Sequence, residues 1–170
     1  MTTRRLVLLR HAAAEHEGDL GDAMRPLSAA GRRQAGAVGP LLEAATGGID
    51  LALVSTALRT RETYRILATH LSAPPRVVES DAVYEAGARS LLALLREVPE
   101  DTRCVLVVGH EPTMSTLAHL LAGSGREDLA AQVSLGMSTA SAAVLEVEDW
   151  ASLDRSAAAL VDLVRSPGQA

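Results

Sequence analysis

The stretch "CVLVVGHEPTMSTLAHLLAG", residues 104–123, carries an aliphatic, β-branched run into a histidine, a proline and then an amphipathic segment. Residues 104–110 read as a strand buried on both faces, the strongest in the chain. Pro112 suits the first turn of a helix, where its missing N–H leaves nothing unpaired, so 113–123 is expected to be helical. A strand passing directly into a helix is the repeating half of an α/β sheet. His110 lies at the joint.

The same rhythm extends to both sides. "RLVLLR" (5–10) reads as a buried strand that stops on Arg10 and His11. Residues 28–45 are expected to form a helix capped by Ser28, with Gly36, Gly39 and Pro40 weakening it. A strand over 50–56 and a helix over 57–71 follow, then a short strand over 76–80 and a helix over 88–98. Residues 140–148 read as a strand. The tail 157–166 fits either a helix or a strand, and its β-branched residues favour a strand pairing with 140–148. The expected fold is α/β: a three-layer sandwich whose mostly parallel central sheet is covered by helices, as one domain over 1–170.

Composition narrows the functions open to such a fold. A net charge of −5 gives no general surface for nucleic acid or anionic membrane. One Trp, two Tyr and no Phe leave little for base stacking. All 16 basic residues are Arg, so an arginine counts only within a constellation; the lack of Lys rules out a Walker-type phosphate loop. Cys104 has no disulfide partner in the chain and is expected to be a buried thiol. The Arg4-Arg5 pair is followed by an apolar run too short for an export signal, and no stretch approaches the length of a membrane span. A cytoplasmic location is expected.

In an α/β sheet, ligands bind at the carboxyl ends of the strands, beside helix N-termini. The first strand delivers Arg10 and His11 there, the second brings Arg59 into the following turn, and the fourth delivers His110. Two guanidinium forks and a helix N-terminus can hold a phosphate dianion. A neutral imidazole can attack phosphorus to form a covalent phosphohistidine, and nearby arginines keep it unprotonated. A second imidazole can donate to the oxygens of the transferring group. Ligand spacing for a metal is lacking among the five histidines, so no metal and no cofactor is expected. His16, His70 and His119 read as surface or structural residues. Ser138-Thr139 either touch the site or form a plain turn.

"LVLLRHA" (6–12), "VSTALRTRET" (54–63) and "VVGHEP" (107–112) resemble the three signatures of the histidine phosphatase superfamily, the phosphoglycerate mutase-like or RHG type. The block "DAMRPLSAAGRRQA" (22–35) is similar to that of the short SixA-type phosphohistidine phosphatases. The resemblance runs from about residue 5 to about residue 148. It implies a phosphoglycerate mutase-like fold and a nucleophile at His11. Arg10, Arg59 and His110 would complete the phosphate pocket, with Arg25 as a further substrate contact.

Ala12 departs from the family's usual glycine, which is harmless if its φ is negative. For the general acid the resemblance offers Glu85 first, then Glu111; Glu15 is a third candidate, and a dedicated acid is not required. Phosphohistidine needs less help than an ester, because imidazole is easily protonated. The expected function is a metal-independent phosphatase acting on phosphohistidine borne by a protein. A small-metabolite phosphomonoesterase and a catalytically inactive phosphate-binding regulator are the alternatives.

Overall fold

The computed structural model describes residues 3–85 and 87–167. The expected span 1–170 thus includes positions 1–2, 86 and 168–170, which lie outside the described residues. The strands are β1 (Arg4–Arg10), β2 (Leu51–Ser55), β3 (Arg76–Ser80), β4 (Cys104–Gly109), β5 (Ala122–Gly125), β6 (Ser141–Val147) and β7 (Ala158–Arg165). They form one sheet in the order β3-β2-β4-β1-β6-β7-β5. β3, β2, β4 and β1 run parallel. β6 is antiparallel to both β1 and β7, and β5 lies parallel to β7. The tail therefore is a strand paired with 141–147, as its β-branched residues indicate.

Alternation along the strands builds two cores. Val7 and Leu9 face α1 (Ala29–Thr46) and α2 (Leu58–Ala68), meeting Val38, Leu42 and Leu67. Leu6 and Leu8 face the opposite layer, made by α4 (Ala88–Arg96), α5 (Thr113–Leu121) and α6 (Glu127–Ser134). There they share a cluster with Leu91, Leu95, Leu117, Leu121 and Val133. Each such buried aliphatic side chain contributes roughly 1.5–3 kcal/mol. The sheet is thus mostly parallel and lies between two helical layers.

Several boundaries move. The helix expected to reach residue 123 ends at Leu121, because Ala122–Gly125 become an edge strand beside β7. A Cβ at Gly123 would lie 2.0 Å from the Ser156 carbonyl oxygen, so only glycine permits that approach. Helix α6 and the short α3 (Asp81–Glu85) were not expected; neither is long enough for periodicity to reveal. Helix α1 continues through Pro40, which lies on the exposed side where water can reach the carbonyl it leaves unpaired. Among the described residues, no helix is long and apolar enough to cross a membrane.

Candidate active site

β1, β4 and β2 are neighbours in the sheet, so their carboxyl ends lie side by side. The His11 and His110 ring centroids are 5.4 Å apart. Arg59, in the first turn of α2, is only 6% exposed and places Nη2 3.2 Å from His110 Nδ1. Arg10 donates from Nη1 to the Met137 carbonyl at 2.8 Å. Arg25 donates to Asp22 and to the Glu15 carbonyl. Among the described residues, the Nε atoms of both Arg10 and Arg59 are buried without a hydrogen-bond partner. Buried donors left in that state are uncommon, and these two are able to hold a polar group entering the site.

The two imidazoles are held neutral. His11 Nδ1 is 2.7 Å from the Ala12 carbonyl oxygen; a carbonyl only accepts, so Nδ1 carries the proton and Nε2 keeps its lone pair. The His11 pKa is lowered to about 4, first by burial and then by the Arg59, Arg10 and Arg25 charges, against the upward pull of the Ala12 carbonyl. His110 is lowered to about 3 by burial, then by Arg59 and His11. Its Nδ1 accepts from Arg59, and its Nε2 lies 2.7 Å from Ser55 Oγ. Both nitrogens of His110 are therefore engaged within the protein, in place of the free donor to phosphoryl oxygens that the sequence leads one to expect.

The motif residues around these groups form a clamp on the chain after β1. Thr63 Oγ1 accepts from the Ala12 N–H at 3.0 Å and donates to the Arg59 carbonyl at 2.7 Å. Gln34 accepts from the Ala13 N–H at 2.9 Å. The Ser28 N–H and hydroxyl both donate to the Ala13 carbonyl, while Ser28 Oγ caps α1 by accepting from Gly31 N–H. A Cβ at Gly31 would come within 1.8 Å of that same carbonyl oxygen, which explains the glycine. Glu62 accepts from Leu27 N–H at 2.7 Å. Ala140 N–H donates to the carbonyls of Arg10 and His11, both at 3.1 Å. Ala12 is fully buried and outside the left-handed region, so its methyl group is accommodated.

The carboxyl groups are arranged differently from expectation. Glu85 ends α3 exposed, and among the described residues it has no bond to His11, His110 or any pocket arginine. Its neighbour Tyr84 faces the site instead, packing edge-on against His110 with centroids 5.3 Å apart. Glu15 is exposed and contributes only its backbone. Glu111 is occupied: its carboxylate accepts from Ser115 N–H at 2.8 Å, Ser115 Oγ at 2.7 Å and Met137 N–H at 3.1 Å. The helix N-terminus expected to face phosphate is likewise committed there, since Met114 N–H already serves the His110 carbonyl. The carboxylate in the pocket is Asp22, in the 3-10 turn Asp22–Met24. It accepts from Arg59, Arg25 and Tyr84. Its place three residues before Arg25 in the "DAMRPLS" block was the signal that could have found it. His16, His70 and His119 are exposed. Ser138 closes a turn through its carbonyl, and contact with the site comes from Met137 and Ala140 on either side.

A family model described as histidine phosphatase superfamily (branch 1) matches residues 6–86. An uncharacterised Mycobacterium tuberculosis protein is 36% identical over 156 residues, covering 90% of this chain and 96% of the relative. A Nakamurella multipartitia structure, provisionally named a phosphohistidine phosphatase SixA, is 31% identical with a TM-score of 0.85, over 99% of both chains. The phosphoglycerate mutase of Plasmodium falciparum shares the fold alone, at 15% identity and a TM-score of 0.65, over 100% of this chain and 98% of its own. A buried and a half-buried histidine, both neutral and ringed by arginines, on that fold and with those relatives, lead to one conclusion: the chain belongs to the histidine phosphatase superfamily and is a phosphatase of the SixA type.

Proposed function

We propose that the protein removes the phosphoryl group from phosphohistidine carried by another protein, through a phosphorylated His11. The observation that carries this is the pair of buried, unpartnered Nε–H donors of Arg10 and Arg59 beside a neutral imidazole. The two donors and Arg25 hold the phosphoryl oxygens. His11 Nε2 attacks phosphorus as the substrate's P–N bond breaks, and the departing imidazole takes a proton from solvent. Water then attacks the phosphorus of phospho-His11, releasing inorganic phosphate and restoring Nε2. His110 and Ser55 keep Arg59 aimed throughout.

A phosphohistidine substrate is supported by the carboxyl groups. Among the described residues, each candidate acid is exposed without a bond to the pocket, committed to Ser115 and Met137, or, for Asp22, held as a carboxylate with its pKa lowered to about 2. Ester cleavage needs a proton donor for an alkoxide, whereas imidazole leaves with less assistance. A protein substrate is supported by the rim. Leu20, Met24 and Leu135 are exposed at 78%, 49% and 90%, and each lies one or two residues from Asp22, Arg25 or Met137. Only residues 69–75 separate α2 from β3, so this connection supplies little to enclose a metabolite. No metal is required by this route, and among the described residues no group of three or more His, Cys, Asp or Glu could hold one.

The test compares initial rates on a phosphohistidine-bearing protein with rates on a panel of small phosphomonoesters, with His11→Ala as control. A strong preference for phosphohistidine and an acid-labile phosphoenzyme lost in His11→Ala are expected. A strong preference for one metabolite would replace the substrate. Phosphate binding without turnover would make the protein a regulator.

A further inference from the structure

Asp22 stands where a phosphatase has least use for a negative charge. Its carboxylate accepts from Arg59 Nη2 at 3.1 Å and Tyr84 Oη at 2.5 Å on one oxygen, and from Arg25 Nη1 at 3.1 Å on the other. Its backbone carbonyl accepts from Arg59 Nη1 at 2.9 Å. Arg59 Nη2 also reaches His110 Nδ1, so one guanidinium nitrogen joins the carboxylate to the second imidazole. The side chain is 41% exposed, so burial does not explain it. Three pocket guanidiniums less one carboxylate, with both imidazoles neutral, leave a charge of about +2. That equals the charge of a phosphoryl dianion with opposite sign.

Resting on the phosphatase function proposed above, we infer that Asp22 is a positioning residue that sets how readily the pocket lets phosphate go. It holds Arg59 and Arg25 in place by direct hydrogen bonds, and it lowers the pocket's net charge to match one dianion. A pocket with three uncompensated arginines binds phosphate tightly, whether as product or as the group on His11. Turnover then slows at release, since binding ground state and product more strongly does not speed the chemical step. Tyr84 acts on the same balance: its hydroxyl takes up part of the carboxylate's charge.

Titration calorimetry with inorganic phosphate, with kcat and KM measured alongside, tests this in the full chain. Asp22→Asn keeps an oxygen for Arg59 and removes the charge. Its Kd for phosphate is expected to fall about tenfold, with kcat and KM falling together. Asp22→Glu is expected to restore part of the wild-type Kd. Tyr84→Phe leaves the carboxylate's charge less offset, so its Kd is expected to rise. Opposite shifts from two ends of one hydrogen bond are a signature that a purely structural contact lacks. A Kd for Asp22→Asn equal to or weaker than wild type overturns the inference, as does a Tyr84→Phe shift in the same direction. Wild-type protein that binds no phosphate overturns the proposed function itself.

Discussion

Replacing Thr63 with valine isolates the bond that fixes the chain beside His11. Thr63 is fully buried, accepting from Ala12 N–H at 3.0 Å and donating to the Arg59 carbonyl at 2.7 Å. Valine keeps the branched shape and loses only the hydroxyl. The Arg59 carbonyl retains its helical N–H partner, so the loss falls on Ala12 N–H, now buried with nothing to bond. Such an orphan costs about 1–3 kcal/mol. At about 2–4 °C per kcal/mol for a chain of this size, the melting temperature should drop by roughly 2–12 °C. The effect on rate arises through the same residue, because the Ala12 carbonyl holds His11 Nδ1. A misaimed imidazole is expected to slow phosphoenzyme formation roughly 10–100-fold. Thermal melts and single-turnover labelling of wild type, Thr63→Val and Thr63→Ser read both effects. Serine keeps the hydroxyl and should stay close to wild type. A Thr63→Val protein with wild-type melting and labelling would refute this account, and so would a Thr63→Ser protein as damaged as the valine variant.

Glu111→Gln should raise the phosphate Kd roughly tenfold by unsettling Met137, whose carbonyl holds Arg10, while the pH profile keeps its shape; loss of the alkaline limb would instead make Glu111 a proton donor. Stability should fall as pH drops from about 6.5 towards 4, because the unfolded chain takes up protons that His11 and His110, lowered to about 4 and about 3, refuse in the fold. The slope has an upper bound of about 1.4 kcal/mol per pH unit for each histidine. Urea unfolding at pH 7, 5.5 and 4.5 should show a shallower decline for His110→Gln, and equal declines would contradict the burial account. Turnover should survive dialysis against EDTA; activity lost there and restored by added metal would overturn the metal-free route.

Most of the scaffold was legible in the chain because burial on both faces of a strand demands runs such as 104–109, and polar residues collect where those runs end. Arg10, His11, Arg59 and His110 could thus be gathered at one sheet edge before any contact was known. The cap at Ser28 was legible for the same local reason. Short elements were not: α3, β5 and α6 are too brief for a period, and β5 exists only because β7 offers an edge to pair with.

The carboxylates mark the limit of sequence. The resemblance nominates Glu85 first, then Glu111, with Glu15 a third candidate, and only tertiary structure turns Glu85 to solvent, ties Glu111 to Ser115 and Met137, and sets Asp22 between Arg59 and Arg25. Asp22 and Arg59 are 37 residues apart, and Ser55 and His110 are 55 apart. A hydrogen bond across such a distance depends on where two loops end and how their side chains point. Periodicity records which face of an element is buried; it carries no information about the direction of a carboxylate at its end.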